Sequence, residues 1–340
     1  MSGFLVASAE AGTITAFAVR EAHGTARLER LHSVEVGSGA SALVLDRSER
    51  VLHAALTSAR AIVSLGLDAP TGALRVRSRV LVPAGLVYLH LGLGRLFGAS
   101  YGDDLIASTP LDADELPVKD GTDTLAVGSH PHSIVAEPGA PAVWVAVLGD
   151  DVVRRIEVDG DGRFVRDSVA GVLVPAGFGP RHVLVRPGRR ELLVVGERTG
   201  DVAVIDLDAR AVTRHWPTVP ADSGLVPGVV REVGEDPRAD AEGRPLIWAA
   251  DLCAHGDTVY TSERRASHVS VSDAARGRLT AVLDTEPQPR GIGLSADGRW
   301  LLVSGELSDT VSLYSTGRHR PVLVDRAPVP AGARWAEPST

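Results

Sequence analysis

Histidine, arginine and carboxylate side chains stand at repeating points of the short apolar runs in this sequence. The side chains that begin such a run, or that follow the next run at its turn, include Tyr101, His132, Arg181, Glu197, Arg264, Arg290 and Glu306. A guanidinium group keeps its charge at any relevant pH and binds anions, whereas an imidazole with an ordinary pKa of about 6.5 moves protons at neutral pH. Together they predict a site that binds an anion beside a titratable group.

Other kinds of chemistry find little support in the sequence. The single cysteine, Cys253, excludes a multi-cysteine metal cluster, and the single lysine, Lys119, lies in a polar stretch that is unsuited to Schiff-base catalysis. No Gly-x-Ser-x-Gly turn marks a nucleophilic serine, and no Gly-x-Gly-x-x-Gly precedes a helix. His130 and His132 would lie on one face of a strand, but no third metal ligand accompanies them. We therefore expect neither a metal nor another cofactor.

Composition limits the partners of the chain. Its 340 residues carry a formal charge of −8, and 44% of them are hydrophobic. An acidic chain without a basic run is not expected to bind nucleic acid or a membrane surface, which leaves a small anionic substrate as the expected partner. The N-terminus has no cationic segment before its apolar residues, and no apolar stretch reaches about 18 residues. We expect a cytoplasmic protein.

Seven copies of one unit divide the chain. Each copy has an apolar run, a small or polar turn and a second alternating run, and helical patterns are almost absent. Equivalent residues are Ile14, Ile62, Leu105, Val152, Val202, Val269 and Val311, at spacings of 48, 43, 47, 50, 67 and 42 residues. This period is typical of a propeller blade of four antiparallel strands. The sequence predicts an all-β seven-bladed propeller, with a surface loop inserted at about 217–245 in the longest interval.

The two ends of the chain are predicted to share one blade. Six units have a further apolar run that we interpret as the innermost strand, and the first unit lacks one. The sequence Val-Pro-Ala-Gly precedes such a strand at 82–85 and 174–177, and it recurs at 329–332. Residues 333–337 would then complete the first blade and close the ring, which removes the open sheet edges. We expect a single domain over 1–340 and, because no edge needs covering, a monomer.

Several motifs resemble the lactonase family of seven-bladed propellers, which includes 6-phosphogluconolactonases and carboxymuconate cycloisomerases. They are Gly-Ser-His-Pro-His-Ser at 128–133, Gly-Pro-Arg-His at 179–182, Ala-Ser-Tyr-Gly at 99–102 and Pro-Arg-Gly at 289–291. The resemblance implies that His132, Arg181, Glu197 and Arg264 are catalytic. The repeat alignment reaches the same four positions independently. We assign substrate binding to Tyr101, His182, Arg290 and Glu306.

Three functions remain open on the sequence. The first is a metal-free lactonase that hydrolyses or forms the lactone of a small anionic, sugar-acid or muconate-like substrate. In it, His132 or Glu197 would activate water and the other would protonate the leaving alkoxide. The second is a cycloisomerase, or a specialised biosynthetic lyase or isomerase recruited from the family. The third is a non-catalytic platform for a ligand or protein, which is favoured by Gly196 and Glu263, where the family usually has asparagine, and by the divergent third repeat.

Overall fold

Seven four-stranded antiparallel sheets are arranged as blades around a central channel. The computed structural model describes residues 2–339 apart from 23, 49, 69, 187, 233–244 and 318–319. In six sheets the strands follow the chain order from the channel outwards, and in the remaining sheet the innermost strand comes from the C-terminus. The innermost strands of successive blades contact one another in a closed ring. The predicted all-β seven-bladed propeller is confirmed.

Each blade has four strands, numbered along the chain and named below from the channel outwards. Blade one contains β28 (Ala333–Pro338), β1 (Gly3–Ser8), β2 (Thr13–Ala22) and β3 (Thr25–Glu35). Blade two contains β4 (Ala40–Asp46), β5 (Val51–Leu56), β6 (Ala61–Leu67) and β7 (Leu74–Leu81). Blade three contains β8 (Tyr88–Gly92), β9 (Arg95–Ser100), β10 (Leu105–Pro110) and β11 (Asp123–Ala126). Blade four contains β12 (Pro131–Ala136), β13 (Ala142–Val147), β14 (Val152–Glu157) and β15 (Ala170–Leu173).

The remaining blades follow the same plan. Blade five contains β16 (Pro180–Val185), β17 (Glu191–Gly196), β18 (Asp201–Asp206) and β19 (Ala211–Pro217). Blade six contains β20 (Ala249–His255), β21 (Thr258–Glu263), β22 (His268–Asp273) and β23 (Arg278–Asp284). Blade seven contains β24 (Pro289–Leu294), β25 (Trp300–Gly305), β26 (Thr310–Ser315) and β27 (Val322–Pro328). Two short 3₁₀-helices cover Leu148–Asp150 and Arg166–Ser168, and no helix among the described residues is long and apolar enough to span a membrane.

Burial along the strands explains the patterns in the sequence. The second strand of a blade is buried at every position in β5, β13 and β25, because both of its faces pack against neighbouring blades. The outermost strands tend to alternate between less exposed and fully exposed positions, as β19 does, since one face is in water. The core therefore lies between blades, where Leu5 and Ile14 of blade one pack with Leu52 and Val63 of blade two.

The N- and C-terminal strands close the ring within one blade. β28 pairs antiparallel with β1, and Val6 lies opposite Ala336 in the register. The main chain continues this contact beyond the strands, because Ala9 N donates a 2.9 Å hydrogen bond to Gly332 O. The main-chain hydrogen-bonding groups on both edges of β1 are thus paired, with β28 on the channel side and with β2 on the outer side.

The insertion predicted at 217–245 is not simply a surface loop. Residues 233–244 lie outside the described residues, but the two flanking segments pack against the ring. Thr218 and Arg231 are buried, and Val226 forms a parallel bridge with Leu246. Gly228 N also donates a 2.8 Å hydrogen bond to Arg198 O in blade five. Residues 220–230 are nevertheless partly or fully exposed and form no strand, so these flanks are a surface loop anchored to the ring, and Arg231 and Glu232 line the cavity at the channel mouth.

Bulges in the innermost strands set the direction of their side chains. Every innermost strand except β8 has a register shift near the residue that begins it. The shifts fall at His132 in β12, at Arg181 and His182 in β16, and at Arg290 in β24. A bulge removes a residue from the hydrogen-bonded ladder and re-aims its side chain. The repeated bulge thereby turns polar side chains into the channel.

Candidate active site

A cavity of about 520 Å³ lies at one mouth of the central channel. This size suits a small ligand. Six of the eight predicted site residues line it, namely Tyr101, His132, Arg181, Glu197, Arg264 and Arg290. They come from blades three to seven, and the repeat alignment places them at equivalent points. His182 and Glu306 do not line this cavity.

Glu197 is the centre of an ion-paired cluster. Its Oε2 atom accepts hydrogen bonds from Arg181 Nε at 2.9 Å and from Arg264 Nη2 at 2.7 Å. Burial acts to raise the pKa of the Glu197 carboxyl, but Arg264, Arg181 and Arg231 lower it below its ordinary value. The carboxylate is therefore ionised at neutral pH. This argues against the proton-donor role left open for Glu197 and favours a role in holding the two arginines.

Each of these arginines lines the cavity and has one amino group without a hydrogen-bond partner among the described residues. Arg181 Nη1 donates to His182 Nε2 at 2.9 Å and to Ala250 O, whereas Arg181 Nη2 has no hydrogen-bond partner among the described residues. Arg264 donates through Nε and Nη2 to the main chain of blade six and to Glu197, and its Nη1 likewise has no partner in the described part of the chain. The two groups flank Glu197 and can donate to an anion.

Trp248 supports the arginines from the side. The Arg264 guanidinium carbon lies 3.6 Å from the centroid of the Trp248 ring, and that of Arg231 lies 4.8 Å from it. Cation–π contacts of this kind stabilise a buried guanidinium that lacks water. The Trp248 main chain is fixed in turn, because its N–H donates a 2.7 Å hydrogen bond to Glu263 Oε1.

His132 is a neutral imidazole in the wall of the cavity. Burial lowers its pKa well below 6.5, and the charges of Arg181 and Arg290 lower it further. Its Nδ1 atom is buried and makes no hydrogen bond with another described residue, which leaves Nε2 as the nitrogen available to the cavity. The ring is therefore unprotonated at neutral pH, which is the state that a general base requires.

His182 and Glu306 have partners of their own away from this cavity. His182 Nδ1 lies 2.8 Å from Asp251 Oδ1, and its ring is only 4% exposed. Glu306 Oε1 lies 3.1 Å from Arg290 Nη1 and 3.3 Å from Arg334 Nη2. Burial acts to raise the pKa of Glu306, but these arginines lower it to about 2. The substrate-binding roles predicted for both residues do not agree with this geometry, because each side chain instead holds an arginine.

Four aromatic side chains fill the channel below the cavity. The ring centroids of His132 and His182 are 5.1 Å apart, and those of Tyr88 and Trp335 are 5.5 Å apart. His182 contacts Tyr88 and Trp335 as well, at 5.1 and 5.7 Å. We call these four residues the aromatic plug. It separates the cavity from a second cavity of about 560 Å³ that Tyr88 and Trp335 line from the other side.

The sequence reasoning missed several residues of the cavity wall. Arg60 and Asp103 form an ion pair with a 2.6 Å distance between Nη2 and Oδ1. Asp103 directly follows the Ala-Ser-Tyr-Gly motif at 99–102, which was the available signal. Arg231 and Glu232 also line the cavity. They belong to the insertion, so the repeat register gave no signal for them.

The pair His130 and His132 does not have the arrangement expected of two histidines on one strand face. His130 has a φ angle of 57° and precedes β12. Its ring stacks on Tyr101 with centroids 4.3 Å apart, and its Nδ1 atom lies 3.0 Å from Tyr101 O. Among the described residues, no group of three or more His, Cys, Asp or Glu side chains is placed to hold a metal ion.

The departures at Gly196 and Glu263 have structural causes. A Cβ atom at Gly196 would lie 2.8 Å from Phe178 O, so this close approach requires glycine. Glu263 accepts main-chain hydrogen bonds from Trp248 N at 2.7 Å and from Ala266 N at 2.6 Å. Both residues therefore support the local backbone of the site.

Comparisons with known proteins agree with this description. The family described as "Lactonase, 7-bladed beta-propeller" matches residues 4–327 of the chain. The 6-phosphogluconolactonase of Yersinia enterocolitica is 26% identical over 324 residues, which cover 92% of this chain and 91% of that protein. The 6-phosphogluconolactonase of Yersinia pseudotuberculosis is also 26% identical, over 321 residues that cover 91% of this chain and 90% of that protein.

Solved structures show the same fold over the whole chain. The periplasmic gluconolactonase PpgL of Pseudomonas aeruginosa has a TM-score of 0.79 at 18% identity, covering 100% of this chain and 99% of its own. A protein from Lactobacillus plantarum has a TM-score of 0.79 at 19% identity, with 99% of each chain covered. The resemblance drawn from the motifs is confirmed. The chain belongs to the lactonase family of seven-bladed β-propellers.

Proposed function

We propose that the chain hydrolyses the lactone of a small anionic sugar acid, and that 6-phosphogluconolactone is the first substrate to test. One observation carries the proposal: Arg181 and Arg264, each with an amino group that lacks a partner among the described residues, line the same cavity as neutral His132. Hydrolysis of a lactone needs a base for water and donors for an oxyanion, and these three side chains provide them. The names of the Yersinia relatives support the choice of substrate.

The charge of the cavity favours an anionic substrate. Its wall carries five guanidinium and three carboxylate side chains, an excess of two positive charges, whereas the whole chain has a charge of −8. A cationic cavity in an acidic protein concentrates anions at one place on its surface. A phosphate or carboxylate on the substrate would pair with Arg290 or Arg231, while Arg181 and Arg264 remain directed at the lactone carbonyl.

The reaction follows from these positions. His132 accepts a proton from water as the water oxygen attacks the lactone carbonyl carbon. The carbonyl oxygen becomes an oxyanion that Arg181 Nη2 and Arg264 Nη1 stabilise. The carbonyl then re-forms, the ring carbon–oxygen bond breaks, and the His132 imidazolium gives its proton to the leaving alkoxide. One water is consumed, and the open-chain hydroxy acid ionises at neutral pH.

Glu197 contributes to this step without exchanging a proton. Its carboxylate binds Nε of Arg181 and Nη2 of Arg264, so each guanidinium presents its remaining amino group. Donors that are fixed before the reaction stabilise an oxyanion more effectively than donors that must reorganise. We therefore assign Glu197 to positioning and charge balance.

The test is a panel of lactones with matched variants. The purified chain is assayed by pH-stat with 6-phosphogluconolactone, gluconolactone and a muconolactone-type substrate. His132→Gln is expected to lower kcat about 10²- to 10⁴-fold, and Arg181→Gln about 10²- to 10³-fold. His215→Gln on β19 and Arg20→Gln near the end of β2 change partly exposed side chains outside the cavity, so these controls should match the parent.

The alternatives are outcomes of the same panel. Isomerisation of the muconolactone-type substrate without hydrolysis of the sugar lactones would favour the cycloisomerase, because the same three groups can move a proton at carbon. No turnover of any lactone, with ligand binding unchanged in both site variants, would favour the non-catalytic platform. Hydrolysis of gluconolactone in preference to its phosphorylated form would assign a neutral substrate instead.

A further inference from the structure

His182 makes polar contacts on both sides of its ring although it does not line the cavity. Its Nε2 atom lies 2.9 Å from Arg181 Nη1, and its Nδ1 atom lies 2.8 Å from Asp251 Oδ1. The bulge in β16 places Arg181 and His182 next to each other in the channel instead of on opposite faces of the strand. Asp251 reaches the ring from β20 in the next blade.

The chemistry of these three groups determines where the proton on His182 lies. A guanidinium has five N–H donors and no acceptor, so His182 Nε2 must accept the hydrogen bond from Arg181. The proton of the neutral ring is then on Nδ1 and is donated to Asp251. Burial lowers the pKa of His182 to about 4, and the Arg181 charge contributes to this shift. The ring therefore stays neutral and remains an acceptor at neutral pH.

Asp251 is itself fixed by the main chain of two blades. Its Oδ1 accepts a 2.9 Å hydrogen bond from Leu252 N, and its Oδ2 accepts one of 3.1 Å from Ile292 N in β24. The carboxylate can thus rotate only by breaking bonds to two innermost strands. The hydrogen bond from Nδ1 to Asp251 therefore holds the His182 ring in place, and the ring in turn holds the Arg181 guanidinium.

We propose that Asp251 and His182 position Arg181 for catalysis, through a hydrogen-bonded chain that holds Nη1 and directs Nη2 into the cavity. Nε of Arg181 is held by Glu197, and Nη1 is held by His182 and Ala250 O. These three bonds fix the guanidinium plane and leave only the two N–H groups of Nη2 for the substrate. The catalytic consequence rests on the proposed function, whereas the direction of the hydrogen bonds does not.

A purely structural role for His182 makes a different prediction. The ring belongs to the aromatic plug, and its contacts with Tyr88, His132 and Trp335 are apolar in character. If packing were its whole function, phenylalanine would replace it without cost to catalysis. If Arg181 needs an acceptor, glutamine would replace it better, because the Gln Oε1 atom reaches the position of Nε2.

The first experiment compares His182→Phe with His182→Gln in the full chain, using 6-phosphogluconolactone. We expect the phenylalanine variant to lose about tenfold to hundredfold in kcat with KM nearly unchanged, because an interaction of the transition state is lost. The glutamine variant keeps an acceptor for Arg181 but loses the bond to Asp251, so its loss in kcat should be smaller than that of the phenylalanine variant. Thermal unfolding of both variants is measured to establish that they fold. Full activity of the phenylalanine variant, or equal losses in both folded variants, would overturn the proposal.

The second experiment does not depend on activity. ¹⁵N NMR of histidine-labelled protein at pH 7 distinguishes the two neutral tautomers, and the His182→Gln spectrum identifies the His182 signals. We expect the Nδ1–H tautomer. An Nε2–H tautomer or a doubly protonated ring would contradict the proposed directions of the two hydrogen bonds and overturn the proposal. If the parent hydrolyses none of the lactones, the proposed function fails. The NMR measurement alone then decides whether the hydrogen bonds between Asp251, His182 and Arg181 exist as proposed.

Discussion

Glu197 Oε2 accepts a 2.7 Å hydrogen bond from Arg264 Nη2, and neither side chain is more than 6% exposed. A buried ion pair of this kind contributes little net stability as a pair, but removing one partner leaves an uncompensated charge. Glu197→Gln should therefore lower the free energy of unfolding by about 3 kcal/mol. Chemical denaturation measures the change, and Glu157→Gln on the exposed edge of β14 is the matched control. Equal stability of Glu197→Gln and the parent would contradict the assigned charge balance.

The pH dependence of catalysis should reflect the lowered pKa of His132. A base must be unprotonated, and burial with nearby Arg181 and Arg290 moves the pKa of this ring well below 6.5. Activity is therefore lost only when pH falls through that lowered pKa, and kcat/KM should be flat from pH 6.5 to 7.5. The profile is measured after subtracting spontaneous lactone hydrolysis. An acidic limb with a midpoint at or above 6.5 would show that another group is the base.

Arg231 should distinguish charged from uncharged substrates. Its guanidinium lies over Trp248 at the cavity wall, and its charge helps to lower the pKa of Glu197. Arg231→Gln should raise KM for 6-phosphogluconolactone about threefold to tenfold and leave KM for gluconolactone nearly unchanged. Steady-state kinetics on the two substrates decides this, with Arg20→Gln as the control. Equal changes in both KM values would mean that Arg231 does not bind the anionic substituent.

Glu337 should make stability depend on pH. Burial raises the pKa of this carboxyl from 4.5 to about 7, although the charge of Arg47 acts to lower it. The folded state therefore holds its proton more tightly than the unfolded state, so stability is lost as pH rises from about 4.5 to about 7. Glu337→Gln should stabilise the protein at pH 8 by up to about 3 kcal/mol, with little effect at pH 4. Melting temperatures at the two pH values test it, and an effect of equal size at both would contradict it.

Removal of β28 should unfold the first blade. The strand supplies one edge of β1 and places Trp335 against Tyr88 and His182. Without residues 333–340, an unpaired strand and apolar core surface are exposed, which favours aggregation. We expect loss of the cooperative thermal transition, measured by circular dichroism, whereas removal of residues 339–340 alone should leave it intact. A cooperative transition at the parent temperature after the longer deletion would show that the ring closes without β28.

The repeating features of the fold could be predicted from the sequence because every blade needs the same pattern of buried strands. Apolar runs such as that in β13 recur in each blade, and their spacing identifies the blade. The same register located His132, Arg181, Glu197 and Arg264, because equivalent points of successive blades meet at the channel mouth. Closure by residues 333–337 followed from counting innermost strands.

Features that occur once could not be predicted in this way. Arg231 comes from the insertion, which has no counterpart in the other blades, and Arg60 lies at a turn that the register did not mark. The roles of His182 and Glu306 depend on which partner each side chain reaches across a blade boundary, and spacing along one chain does not report such distances. The bulge in β16, which puts Arg181 and His182 on the same side, breaks the simple alternation that strand patterns assume.

The aromatic plug has a kinetic consequence. The packed rings of His132, His182, Tyr88 and Trp335 lie between the two cavities of the channel, so we expect substrate to reach the site from one mouth only. The substrate would then enter, and the acid product would leave, through the same channel mouth, past the same arginines. The acid product carries one more negative charge than the lactone. We therefore expect the product to compete with the substrate for the cavity.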